Sequence, residues 1–233
     1  MATSGSLDFT MNLNEIIEKA YHRLGKASEG EAVSARMYTD GKSSLNLILK
    51  SKLSVSDRLF LRTEITQALA VDDADYVLTP KPLRILSVRR RDGNDYDTPM
   101  NELSRQEYFD LPNKFASPSI PVSYYFDPQT TTGTLYVWPA PDTNAAADYT
   151  LQITTLRRIE DMDSASDSLD MPQEWLDPVI WMLADDLETE YPVNDPRLAL
   201  KIERKAAEAK QILDYWDTEG TSVFMQPDFG SAC

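Results

Sequence analysis

The chain is poor in the residues that build most active sites. It has one cysteine, Cys233, at its last position. No internal disulfide is possible, so oxidation does not shape the fold. His22 is the single histidine, which leaves imidazole-based metal sites and Cys/His dyads without ligands or partners. It lies between Tyr21 and Arg23 in a helical pattern and reads as a packed or solvated side chain. Glycine is sparse. Gly41-Lys42-Ser43 looks like the end of a phosphate loop, but the glycine that loop needs five positions earlier is Arg36, and the segment sits inside a helix pattern. No Asp-x-Asp-x-Asp-Gly calcium loop occurs. No apolar run approaches membrane-spanning length. Met1 to Phe9 lacks the basic start and apolar stretch of a signal peptide, so a soluble cytoplasmic product is expected. No cofactor or metal site is expected.

Positive charge is also scarce. Against 38 Asp and Glu stand 23 Lys and Arg, a formal net charge of −15. Such a body repels nucleic acid, and sequence-specific DNA binding needs a basic face. Only Arg89-Arg90-Arg91 and Arg157-Arg158 cluster basic residues. On strands, neighbours point to opposite faces, so these arginines read as partners of nearby carboxylates rather than as a patch.

What is present is ordinary globular material. Apolar residues make up 42% of 233, enough for a core in one or two domains. Asn12 with Glu15 forms a capping box that Met11 can staple onto Ile16, and Leu13, Ile16, Ile17, Ala20 and Leu24 follow at helical spacing up to Gly25. A second helix is expected from Ser34 through Leu49, with Gly41 as a weak point. The period then shifts to alternation. Strands are expected at Leu59–Ile65, Tyr76–Leu78, Leu83–Arg90 and Tyr149–Thr155, with a hairpin from Val122 to Trp138. Ser104 and Glu107 start a short helix that must end before Pro112. Asp161 to Asp170 reads as an acidic connecting loop, and Asp170 as the cap of a helix with Trp175, Val179, Leu183 and Leu187 in its stripe. Asp195-Pro196 opens a last helix, striped by Leu198, Ile202, Ala206, Ala209, Leu213 and Trp216, that runs to Gly220.

Helices, then strands, then helices is an α+β order with a mainly antiparallel sheet. The expected division is an N-terminal helical part over 1–55, a β-rich subdomain over 56–165, a C-terminal helical part over 170–220 packed on the first helices, and an extended arm over 221–233.

Two segments carry candidate function. Carboxylates such as Asp185, Asp186, Glu188 and Glu190 are numerous enough for a hydrolase pair, though a solvated helix face is the plainer reading. The alternative function on that basis is a hydrolase acting through paired carboxylates. The tail is more informative. Val223, Phe224, Met225 and Phe229 are apolar, yet the stretch is too short for a core of its own, and Pro227 stops a helix. Such side chains either fold back on the same molecule or fill pockets on a neighbour.

Four segments together resemble a known family: Asn14-Glu15-Ile16-Ile17, Leu45-Asn46-Leu47-Ile48-Leu49-Lys50-Ser51, Pro172-Gln173-Glu174-Trp175-Leu176, and Ser222-Val223-Phe224-Met225-Gln226-Pro227-Asp228. Their order and spacing resemble the head-to-tail adaptor proteins of short-tailed bacteriophages, also called tail accessory or head-completion factors. The chain departs from that pattern at Ser54 to Asp57. The resemblance implies a structural, non-enzymatic virion protein at the head-tail junction; the alternative in that setting is a virion-associated peptidoglycan hydrolase using paired carboxylates. It implies docking under the portal protein, a dodecameric ring that extends the DNA channel, and attachment of tail nozzle or fibre proteins. It implies portal or neighbour contact through Val223, Phe224, Met225, Gln226, Pro227 and Phe229.

Overall fold

A computed structural model describes residue 5 and residues 8–27, 32–53, 58–114 and 118–216. The first helix, α1 (Leu13–Arg23), starts where its capping box lies. The Asn12 side chain accepts from the Glu15 amide at 2.9 Å, and the Glu15 carboxylate accepts from the Asn12 amide at 3.0 Å. It stops because Gly25 takes φ +66°, a conformation only glycine adopts without strain. Helix α2 (Ala35–Ile48) is capped by Ser34 and runs into a π-helical turn, Leu49–Leu53. Gly41 is not the weak point expected of it. A β-carbon there would lie 3.0 Å from Ile17 Cγ2, so this glycine is what lets α1 and α2 approach.

The next stretch differs from its alternating pattern. Leu59–Leu61 is a 3-10 turn, and strand β1 begins only at Arg62 and ends at Ala68. Arg58, buried at the entrance, explains the delay. Its guanidinium donates to the Leu213 carbonyl at 3.1 Å and to Asp214 at 2.8 Å, and lies 5.0 Å from the Trp175 ring centre. Leu61 is drawn into the helical core beside it.

Strands β2 (Asp75–Leu78), β3 (Arg84–Asp92), β4 (Asp97–Pro99) and β5 (Asn101–Glu102) precede the short helix α3 (Arg105–Asp110), whose Ser104–Glu107 capping box is present. The hairpin β6 (Ser123–Pro128) and β7 (Gly133–Trp138) follows. Helix α4 (Thr143–Asp148), capped by Asp142, has no counterpart in the apolar periodicity, because Ala145 is its only buried residue. Strand β8 is Tyr149–Leu156. The strands form two four-stranded sheets, β1-β8-β3-β4 and β2-β7-β6-β5, antiparallel except for the β5–β6 pair. Ile85, Val88, Leu151 and Ile153 of the first share one core with Tyr76, Leu78, Leu135 and Val137 of the second. With helices at both chain ends, the fold is α+β.

The acidic connection is tied down rather than loose. The Asn46 side chain accepts from the Met162 amide and donates to the Met162 carbonyl, both at 3.0 Å. Lys50 pairs with Asp161 at 2.8 Å, and the Leu13 amide donates to the Asp167 carbonyl. Asp170 does not cap the next helix. Its carboxylate is engaged by Arg157 through both terminal nitrogens, and the helix opens instead with a 3-10 turn, Gln173–Trp175. Helix α5 (Leu176–Glu188) packs against α1, α2 and the last helix, α6 (Pro196–Trp216). Leu13, Ile48, Trp175, Leu183 and Ile202 meet in this second core. No helix among the described residues is long and apolar enough to cross a membrane.

Gly41→Leu tests the close α1–α2 approach. Overpacking of this kind costs about 1–3 kcal/mol, to be read from denaturant unfolding. An unchanged midpoint would show that the helices have room to part.

Candidate functional site

The tail residues Val223, Phe224, Met225, Gln226, Pro227 and Phe229 lie outside the described residues. Two surfaces inside them stand out. The first is the outward side of α6. Its core stripe, Ile202, Ala206, Ala209 and Leu213, is buried. At 100° per residue the opposite side carries Leu200, Arg204, Ala207, Gln211 and Tyr215. Leu200 is 65% exposed and Tyr215 81% exposed, large apolar areas left on a helix that already has a satisfied core face. A shallow depression of about 660 Å³ lies here, lined by Arg197, Leu200, Lys201, Glu203, Arg204 and Ala207. The signal was present in the sequence, since Leu200, Ile212 and Tyr215 fall off the predicted stripe.

The second surface is the outer side of the second sheet. Alternation sends Tyr124 and Leu135 inward, and therefore sends Tyr125 and Tyr136 outward, where their rings stack at 5.9 Å and 15°. Tyr108 of α3 closes over them, 5.5 Å from Tyr125 and 5.3 Å from Tyr136. Burial pushes the Tyr108 hydroxyl's pKa up. Phe109, 55% exposed, caps the stack, with Lys114 and Arg105 near its ring at 5.5 and 5.6 Å. An exposed aromatic flanked by cations is a typical protein-interface anchor. Sequence reasoning placed these aromatics in a hairpin and a helix but missed that they meet.

The remaining candidates are structural. Arg89 pairs with Glu64 and Asp97, Arg91 binds Asp97 through two hydrogen bonds of 2.7 and 2.9 Å, and Arg90 donates to the Pro121 carbonyl. The arginine clusters thus serve nearby carboxylates and backbone. His22 hydrogen-bonds the Ala27 carbonyl at 3.0 Å. Gly41-Lys42-Ser43 is helical. Asp92, Asp97, Glu107, Asp167 and Glu208 all have lowered pKa values, from backbone or cation hydrogen bonds. Among the described residues no group of His, Cys, Asp and Glu is placed to hold a metal ion.

Exposed apolar surfaces on a scaffold held by internal pairs agree with the comparison of the whole sequence, which matches the SU10 adaptor protein family over residues 11–226. The chain belongs to that family. It is a phage adaptor-type protein, and the family points to a structural role in the virion. A search of curated proteins finds no match. The matched region takes in both helical parts, both sheets and the tail as far as Gln226. Within it, the segments that carry the resemblance do specific work. Glu15 caps α1, Asn46 and Lys50 strap the acidic connection, and Trp175 packs edge-on against Phe60 at 4.9 Å.

The Arg91–Asp97 pair predicts a pH signature. Hydrogen bonds from Arg91 hold Asp97 below the usual carboxylate range. A depressed folded pKa gives stability that is present above the unfolded value, about 4, and lost as pH falls through the folded value. Asp97→Asn should therefore melt below the parent at pH 7, and the gap should close in acid. A gap of constant size would contradict the pairing.

Proposed function

We propose that this adaptor docks under the portal ring of a DNA-filled capsid, forms a dodecameric collar that prolongs the DNA channel, and offers the attachment site for tail nozzle or fibre proteins. Its place is the head-tail junction, reached by assembly in the bacterial cytoplasm. The observation that carries this is the family match, which extends from the first capping box to Gln226 in the tail. The adaptor acts by contact and performs no catalysis.

The portal contact is assigned to the tail, through Val223, Phe224, Met225, Gln226, Pro227 and Phe229. Aromatic and methionine side chains are favoured interface anchors, and proline keeps an extended segment from continuing a helix. Once the folded body is seated, the tail's local concentration at the portal is high, so few contacts suffice. The net charge of −15 suits a channel wall, because like charge lets duplex DNA pass without sticking.

Removing Gly220 to Cys233 separates docking from folding. If the tail serves the portal and not the fold, the melting temperature should stay within a degree or two of the parent. Portal affinity should fall by roughly 30-fold or more, the loss of a single hot-spot side chain of about 2 kcal/mol. A large drop in melting temperature with portal binding intact would show that the tail packs on its own molecule.

A further inference from the structure

Strand β1 is the longest edge strand of the two sheets. The sheet orders leave four strands at edges, β1 and β4 in the first sheet and β2 and β5 in the second. β2 has four residues, β4 has three and ends on Pro99, and β5 has two. Short strands and proline blunt an edge against further pairing. β1 has neither device: it runs for seven residues, Arg62–Ala68, without proline and in unbroken register with β8. The charge of Glu64, which could also guard the edge, is engaged by Arg89. The Leu61 carbonyl accepts from the Arg157 amide at 2.9 Å, which sets the alternation of the ladder. Thr63, Ile65 and Gln67 turn their main-chain groups to β8, and Glu64 and Thr66 turn theirs outward. Among the described residues, no main-chain group bonds to the outward amides and carbonyls of Glu64 and Thr66. Beside this edge, Thr63, Ile65, Pro80, Pro82, Thr155 and Ile159 line a depression of about 660 Å³. A strand laid along β1 brings every second side chain over it, the arrangement by which sheet edges take up extended segments.

We infer that this edge is the seat of the chain's own tail, with residues 221–225 laid along β1 as a fifth strand of the first sheet until a portal is met. The exit point of the tail selects this occupant. The last described residue, Trp216, ends α6. The same helix end is held by Arg58, which donates to the Leu213 carbonyl at 3.1 Å and to Asp214 at 2.8 Å, four residues before β1 begins. The tail therefore sets out from beside the start of β1. Residues 217–220 span about 13 Å when extended, enough to bring Thr221 to the edge, and a tail running on in that direction lies parallel to β1. Thr221, Val223 and Phe224 suit a strand, and Pro227 ends one because it has no N–H to give. Val223 and Met225, two apart, share a face and meet the depression. The seat is a weak one, since fixing the tail's backbone offsets most of what hydrogen bonds at an exposed edge contribute. The tail can thus be handed over to the portal, and the two contacts are successive uses of one segment. The seat itself does not depend on portal docking.

Amide hydrogen exchange resolved to single residues tests this on three chains: the parent, the chain without Gly220 to Cys233, and Val223→Pro/Phe224→Pro. Neighbouring strand residues face opposite ways, so one of the two prolines removes a donor aimed at β1 whatever the register. The inward amides of Thr63 and Ile65, bonded to β8, should exchange alike in all three and so report an intact fold. The outward amides of Glu64 and Thr66 should exchange at least roughly threefold more slowly in the parent than in the two altered chains. A seat of that strength moves the melting temperature by no more than about a degree or two in a chain of this length. Equal exchange of the outward amides in all three chains would overturn the seat and leave portal docking untouched. Protection that appears in the parent only as its concentration rises would also overturn it, by showing that a second copy covers the edge. With the portal ring added, Glu64 and Thr66 should exchange as fast as in the shortened chain. Slow exchange within a formed complex would overturn the hand-over, whereas the absence of any complex would overturn portal docking and leave the seat to the first comparison.

Discussion

Helix α5 cannot be left on the surface, and the rest of the structure follows from covering it. Eight of its thirteen residues are buried, including Pro178, Ile180 and Met182, which lie off the simple stripe of Val179, Leu183 and Leu187. Burying each large aliphatic side chain is worth about 1.5–3 kcal/mol. No single neighbour can cover so wide an apolar surface. Helices α1, α2 and α6 do it together, and two of them precede the sheets in sequence while one follows α5. The chain must therefore leave the helices, build the strands and come back. Its exit and return meet where the Arg157 amide donates to the Leu61 carbonyl at 2.9 Å, with Leu61 and Leu156 both in the helical core. This forces β1 and β8 to be antiparallel neighbours, and they are paired from Arg62–Leu156 to Ala68–Thr150.

The high negative charge is compatible with this fold because the cations are spent locally. Lys50 holds Asp161, Arg157 holds Asp170, Arg58 reaches Asp214, and Arg91 holds Asp97. These pairs are mostly partly exposed, so each contributes little to stability. Their effect is positional. They fix the connection between sandwich and bundle. An adaptor needs surfaces held in fixed relation by a scaffold, and two cores that meet along β8 supply one.

Much of this was legible in the sequence where the signal is local. Both capping boxes, the left-handed Gly25 and the start at Asp195-Pro196 all rest on neighbours a few residues apart. The α+β order followed from the change of period. What was missed depends on distant residues. Asp170 looks like a cap until Arg157 is beside it. Leu59 and Leu61 alternate like a strand, but Arg58 and the helical core turn them into 3-10 structure. Gly41 reads as a flaw until Ile17 is found against it. The tyrosine stack needed the β6–β7 register as well as the hairpin, and the Tyr125–Tyr136 pairing is visible only once that register is known. The tail's apolar side chains lie beyond Trp216, outside the described residues.

The central claim is that this chain works by docking onto a portal. The most direct measurement is its mass by light scattering, alone and mixed with the portal ring from the same source. The account predicts a small species that becomes a discrete complex of fixed stoichiometry on mixing. Two components that elute unchanged at every salt concentration would contradict it.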